Sequence, residues 1–377
     1  MKKQINTALA LLLVLLTCLS LAYCAPADTE QSDDMSSLPQ ETSSEASAKP
    51  SYSDVVYPIT KSSRFIRFIG RMQDVEDGVF CDFTASGIEF TGKMVGDVKL
   101  FLTCDRDTYF TVFVDGVRSD SRLFVDNLTK GIVVASFDTL GEHTIKVLKQ
   151  SEAQVSLSVL NGIELTGELY DAPTKREFLI EFIGDSITSG YGNLGDSSTQ
   201  DAGSALWSDG TSAYAFLTAE ALSADANIIS CSGIGIDKGY MDFNEAAFYS
   251  KASYYRDNSK EHNDNSNTPD LVVINLGTND LSCGSTEDAF KAGVSELITS
   301  VRTFYNNDEL PVLWVYGMMG TARFEWTKSV LQDFNNVYTL SLPQNSQGGN
   351  WHPNAEAHVN AAAKLAEFIT DNNILSK

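Results

Sequence analysis

From Phe178 to the C-terminus, short apolar runs alternate with longer segments of helical periodicity, and this alternation limits the possible folds more than any other feature. Phe178-Leu-Ile-Glu-Phe-Ile183 reads as a strand, Thr211 to Leu222 as a helix, and Asn227-Ile-Ile-Ser-Cys231 as a second strand. Leu271-Val-Val-Ile-Asn-Leu276 is a third strand, followed by a helix near 286–305. Pro311-Val-Leu-Trp-Val-Tyr316 is a fourth, followed by a helix near 321–334, and Val337-Tyr-Thr-Leu-Ser341 a fifth. Asn354 to Ile369 closes the chain as a helix: Asn354 suits the N-cap, and Val359, Ala362, Leu365, Ala366 and Ile369 recur at helical spacing. Strands alternating with helices build a parallel sheet covered on both faces. Ligands of such sheets bind beyond the carboxyl ends of the strands, so the residues just after each strand are the ones to read for chemistry.

Residues 51–170 follow a different pattern. Thr111-Val-Phe-Val-Asp-Gly-Val117 alternates and runs into Asp115-Gly116, a hairpin signal. Val98–Leu102, Gly131–Ser136, His143–Val147 and Val155–Val159 read as further short strands, with turn signals spaced as in a β-sandwich. No internal repeat is evident, and Pro173 marks the change to the second pattern, which occupies 174–377.

The first 24 residues read as a secretory signal: a basic Met1–Lys3, then an unbroken apolar run from Ala8 to Leu16. Leu21-Ala-Tyr-Cys24 resembles a bacterial lipobox, although Tyr23 stands where a small residue is usual; the alternative is ordinary cleavage near Ala25 or Ala27. The chain is therefore expected outside the cell, secreted or held as a surface lipoprotein. Residues 25–50, rich in Ser, Glu, Asp and Pro, have too little apolar surface to offset ordering entropy and are expected to be a solvated tether. With 27 Lys+Arg against 50 Asp+Glu the net charge is −23, which argues against nucleic acid and against anionic membranes except through the lipid anchor. A neutral polysaccharide is compatible with it. Of six cysteines, Cys18 and Cys24 fall in the signal; no CxxC spacing exists among Cys81, Cys104, Cys231 and Cys283. A disulfide is open to the pair Cys81–Cys104, and Cys231 is expected as a buried free thiol.

Three post-strand turns and one pre-helix segment carry candidate chemistry. Gly184-Asp185-Ser186 puts a serine on a strand-to-helix turn, its own amide free to face an oxyanion. Gly233, in Ser232-Gly-Ile-Gly235, lets the backbone approach a ligand closely. Asn279, in Gly277-Thr-Asn-Asp280, offers a side-chain amide to the same point, although Asx turns are common after strands. His352, in Trp351-His-Pro-Asn354, can reach back over the sheet as a base. The chain has four His; His143 lies in the β region, His262 in a polar loop, and His358 six residues beyond His352, which is not a same-face metal pair. HExxH is absent, so no metal site is expected.

In this order, each after a strand, these segments resemble the blocks of the SGNH (GDSL-type) hydrolases: Ile183-Gly-Asp-Ser-Ile-Thr188, Gly233, Gly277-Thr-Asn-Asp280 and His352-Pro353. A β region followed by Glu181-Phe-Ile-Gly-Asp-Ser-Ile-Thr-Ser-Gly-Tyr-Gly-Asn193 is similar to carbohydrate esterase family 2. The resemblance implies an α/β fold, a flavodoxin-like three-layer α/β/α SGNH domain preceded by a jelly-roll-like β-sandwich. It implies removal of acetyl groups from plant polysaccharides such as xylan and glucomannan, with no metal or organic cofactor. Ser186 would be the nucleophile, His352 the base, and the Ser186 amide, Gly233 amide and Asn279 side chain the oxyanion hole. Asp185 and Asp280 match family positions but are expected to orient turns, and neither is expected to be catalytic.

SGNH enzymes commonly have an Asp three residues before the His; here that residue is Gly349, and no carboxylate lies between Ser341 and Asn354. His352 must then be oriented by a backbone carbonyl, an amide such as that of Gln347, or a carboxylate from elsewhere. Some family 2 esterases are said to use a dyad held by a main-chain carbonyl, and the same is expected here. Trp351 is a candidate for stacking on a sugar, against a core role; Trp207, Tyr191, Tyr240, Tyr254 and Tyr255 are unranked candidates for lining the cleft. Two other readings compete: a lipase or thioesterase of the same superfamily, and a glycan-binding protein whose catalytic site has decayed. A monomer is expected.

Overall fold

Two sheets, built by successive stretches of the chain, organise the molecule. The computed structural model describes residues 52–255, 261–262 and 267–375; the signal, Cys24 and the tether of the sequence reading lie outside the described residues. No helix among the described residues is long and apolar enough to cross a membrane.

The first sheet contains β1 (Asp54–Pro58), β2 (Arg67–Ile69), β3 (Gln73–Val75), β4 (Gly78–Phe80), β5 (Gly87–Cys104), β6 (Thr108–Val114), β7 (Val117–Arg118), β8 (Leu123–Val125), β9 (Gly131–Lys149) and β10 (Ser158–Leu169). Its main path is antiparallel, β3-β4-β10-β5-β9-β6-β7. β5 and β9, of 18 and 19 residues, differ from the short strands expected. Segments that read as turns are register irregularities inside one strand, such as that between Met94 and Gly96 opposite β9, and such bulges bend a strand without ending it. The core beneath is apolar side chains of β4, β5, β6, β9 and β10, including Val79, Phe90, Leu100, Phe110, Ile145 and Ile163. The Asp115-Gly116 hairpin is present, both residues at positive φ. The Cys81–Cys104 pairing is corrected: both thiols are free and buried, Cys81 beside the Ser86 hydroxyl at 3.2 Å and Cys104 beside that of Ser158 at 3.4 Å. Cys231 is likewise buried and free.

The second sheet holds β11 (Leu179–Gly184), β12 (Asp225–Ser230), β13 (Leu271–Asn275), β14 (Val312–Gly317) and β15 (Val337–Leu342), all parallel, in the order β12-β11-β13-β14-β15. Counted within this sheet the order is 2-1-3-4-5, which is flavodoxin-like and reverses direction beside β11. The helices are α1 (Ser186–Ser189), α2 (Tyr214–Ala221), α3 (Glu245–Phe248), α4 (Thr278–Ser282), α5 (Glu287–Tyr305), α6 (Phe324–Leu331) and α7 (Ala355–Asp371). Strand residues alternate between two cores: Leu271 and Val273 face α2 and α7, while Val272 and Ile274 face α5. α5 starts where Thr286 caps the Ala289 amide and ends where Asn306 turns left-handed. Asn354 caps α7 through the Ala357 amide at 3.0 Å. Glu181, buried mid-strand in β11, is satisfied by the hydroxyls of Tyr305 (2.7 Å) and Tyr249 and the Asn227 amide (2.6 Å).

Candidate active site

The sheet's direction reverses between β11 and β13, and the two segments following these strands carry Ser186 and Asn279. Ser186 is the first residue of α1, directly after β11. Asp185 caps that helix, its carboxylate accepting the Ile187 amide at 3.0 Å. The turn is tight: a Cβ on Gly184 would lie 2.0 Å from the Thr188 hydroxyl, so only glycine fits there. As the first helical residue, Ser186 has an amide with no intrahelical partner.

Gly233 lies at φ +84° in the turn after β12, a conformation that favours glycine. Asn279 sits in α4, after β13; its Nδ2 donates to the Ile234 carbonyl at 2.7 Å and faces Asp185 at 3.4 Å. One N–H is firmly held and the other only loosely. Asp280 accepts the amides of Ile236, Asp237 and Lys238 at 2.9, 2.8 and 2.9 Å, fixing the β12 turn against the end of β13. Asp185 and Asp280 thus shape turns.

His352 precedes α7, and its Nε2 lies 2.8 Å from the Ser186 hydroxyl. Its Nδ1 lies 3.0 Å from the Asn350 carbonyl, so the orienting acceptor is main chain and neither a carboxylate nor Gln347. The backbone is bent to present that carbonyl. Asn350 (φ +49°) and Trp351 (φ +61°) are consecutive left-handed residues, of which only Asn tolerates this readily. Gly349 donates to the Gly192 carbonyl at 2.8 Å and Gly348 to that of His352 at 2.8 Å, which ties the bend to the segment after α1.

Ser186 and His352 are buried, and Tyr191 packs its ring 4.5 Å from the imidazole. Trp351 is 63% exposed, which removes the core reading for it. Tyr240 is also exposed, over the Gly233 turn, whereas Tyr254 is buried in the α5-side core. His358 makes no hydrogen bond to this group among the described residues: burial, with the His352 imidazole near enough to add to it, pushes its pKa down to about 3, and its Nδ1 accepts the Tyr214 amide at 3.1 Å. A cleft of about 780 Å³ opens beside Tyr191 and extends over Glu152 and Gln154 to Tyr109 and Phe124 of the first sheet region. Sequence reasoning missed Glu152 and Gln154, which stand in an unremarkable polar stretch, Gln150-Ser-Glu-Ala-Gln154.

The same two regions are found in known proteins. The family profile "Carbohydrate esterase 2 N-terminal" matches residues 68–173 and "GDSL-like Lipase/Acylhydrolase" matches 180–326. The chain belongs to carbohydrate esterase family 2. It is 30% identical over 312 residues to "Cellulase/esterase CelE" of Acetivibrio thermocellus, matching 78% of this chain but only 38% of that longer protein. It is 23% identical over 258 residues to an "Acetylxylan esterase / glucomannan deacetylase" of Cellvibrio japonicus, covering 67% of this chain and 70% of that protein. A solved family two carbohydrate esterase from Clostridium thermocellum, in complex with cellohexaose, superposes with a TM-score of 0.75 at 28% identity, covering 82% of this chain and 99% of that one.

The geometry of this family 2 chain has definite chemical capacity. A hydroxyl bonded to a neutral imidazole can surrender its proton as it attacks a carbonyl carbon. The imidazole must be unprotonated to accept it. Burial holds the His352 pKa below the ordinary value, with the Asn350 and Gly349 acceptors pulling partly back. The acid limb of kcat/KM is therefore expected to fall below the usual histidine value of about 6.5. A pH–rate profile on a small ester checks this; a limb at or above that value contradicts it. Burial, with the Asp280 and Glu152 charges nearby, pushes the Asp185 carboxyl up to about 7, so in mildly acidic solution it carries little negative charge beside Asn279 Nδ2.

Proposed function

We propose that this chain is an extracellular acetyl esterase acting on O-acetylated plant polysaccharide such as xylan or glucomannan, as a monomer. The observation that carries the reading is the 2.8 Å Ser186–His352 bond at the reversal point of the sheet, with Nδ1 on a backbone carbonyl. Ser186 Oγ attacks the acetyl carbon while His352 Nε2 takes its proton. The tetrahedral oxyanion is met by the amides of Ser186 and Gly233 and the loosely held N–H of Asn279. His352 returns the proton to the departing sugar hydroxyl, leaving acetyl-Ser186. Water, deprotonated by His352, then releases acetate. Neither step calls on a metal or organic cofactor.

The relatives' printed activities and the cellohexaose held by the Clostridium thermocellum structure support a carbohydrate substrate. Exposed Trp351 beside His352 supplies a face on which a sugar ring can stack. The basic, apolar N-terminus supports secretion, with Cys24 as the candidate lipid anchor. The test is ester hydrolysis across acyl lengths, with acetate release from acetylated xylan and glucomannan. Acetyl esters are expected to turn over at least about tenfold faster than butyrate, a methylene or two in a fitted pocket being worth that much. Preference for butyrate or longer chains would favour the lipase or thioesterase reading, and glycan binding without turnover the decayed-site reading.

A further inference from the structure

The oxyanion turn after β12 is held by the N-terminal region. β9 ends at Lys149, and the chain then passes over the carboxyl end of the parallel sheet as residues 150–157. Lys149 is fully buried, and its Nζ donates to the carbonyls of Asp82 (3.0 Å), Ser151 (3.0 Å), Glu152 (3.3 Å) and Ser156 (2.6 Å), which fixes the segment's path. From it, Glu152 accepts the Ser232 amide at 2.7 Å, the Ser232 hydroxyl, and the Ser189 hydroxyl at 3.2 Å. Gln154 Nε2 donates to the Ser232 carbonyl. Among the described residues, apart from a 3.8 Å contact from the Cys231 thiol, the hydrogen bonds of Ser232 go to these two side chains.

That carbonyl matters because of what shares its plane. The Ser232–Gly233 peptide is trans and planar, so its C=O and the Gly233 N–H point in opposite directions and rotate together. Gly233, free of a side chain and at φ +84°, offers little steric resistance to rotation of this peptide. Whatever grips the Ser232 carbonyl sets where the Gly233 N–H points, and that N–H makes no hydrogen bond among the described residues.

We propose that Glu152 and Gln154 are positioning residues, by which the N-terminal region aims the Gly233 N–H at the oxyanion of the substrate. The inference rests on the esterase reading above. It assigns the first domain a part in the reaction beyond bracing the second.

The experiment measures hydrolysis of 4-nitrophenyl acetate by wild type, Ser186→Ala, Gln154→Met and Glu152→Gln, with competent sites counted by burst titration. Gln154→Met keeps the side chain's length and removes its donor; Glu152→Gln keeps one acceptor oxygen. We expect kcat per titrated site to fall about 10- to 100-fold in Gln154→Met, with KM within about twofold, since misplacing a group by about 1 Å has effects of that size. Glu152→Gln should fall less. A role limited to folding would lower the number of titrated sites and the melting temperature but leave kcat per site at the wild-type value, and that result overturns the proposal. Should Gln154→Met yield no titratable sites, the same ratio in Glu152→Gln decides. Equal rates for wild type and Ser186→Ala would instead overturn the esterase reading itself.

Discussion

Ser186→Ala is expected to lower kcat for acetate release by about 10⁴-fold or more, and His352→Ala by a similar factor. The two side chains share one bond, Oγ to Nε2 at 2.8 Å, and each is useless in the first step without the other. Without the imidazole the serine is a weakly acidic alcohol; without the serine the imidazole has no bound nucleophile to activate. Their effects should therefore not add, and the double variant should be no slower than the worse single one, as in other serine hydrolases. Ser186→Ala removes a single oxygen from a buried site, so the melting temperature of that variant should barely change. Rates of all three variants on 4-nitrophenyl acetate and on acetylated glucomannan check this. A Ser186→Ala protein within tenfold of wild type would exclude the serine as nucleophile.

Asn279→Ala is expected to lower kcat by about 10²–10³-fold, or about 3 kcal/mol, the usual effect of removing one preorganised oxyanion donor. KM should move much less, because the charge appears only in the transition state. The same substitution unpairs the Ile234 carbonyl, now accepting from Asn279 at 2.7 Å, which should cost about 1–3 kcal/mol of stability. The two effects separate when kcat is measured well below the variant's own melting temperature. A rise in KM at constant kcat would place Asn279 in ground-state binding.

The parallel sheet and the order of its site residues could be read from the chain because β11, β13 and β14 are predominantly apolar and Gly184, Gly233 and Gly277 stand at or close behind the ends of β11, β12 and β13. β11, β13 and β14 are buried on both faces, which leaves little ambiguity. The first sheet was less legible. Its long strands carry bulges at Gly96 and around Gly141 that look locally like chain reversals. The Cys81–Cys104 idea failed for a related reason: proximity in sequence says nothing about whether two thiols are drawn together, and here each is bonded to its own serine. Glu152 and Gln154 were invisible because their partner, Ser232, lies about 80 positions away across a domain boundary, as the separation of their hydrogen bonds shows. Tyr191 could be named as a cleft candidate, but only the fold brings its ring onto His352.

The acceptor behind His352 is a carbonyl oxygen of Asn350, and every amino acid carries one. Side-chain replacement cannot delete it. On the proposed mechanism, an alanine scan of this protein would return Ser186 and His352 but no side chain behind the imidazole, however thorough the scan. What can abolish the acceptor is a change of path: a one-residue insertion or deletion between Gly348 and His352, or a proline that forbids the left-handed bend. The heritable information for that contact is thus loop length and curvature, two consecutive positive φ angles at Asn350 and Trp351, in place of a letter in the sequence. On the proposed function, sorting such chains into active and decayed by an acidic residue three positions before the histidine would misplace this one.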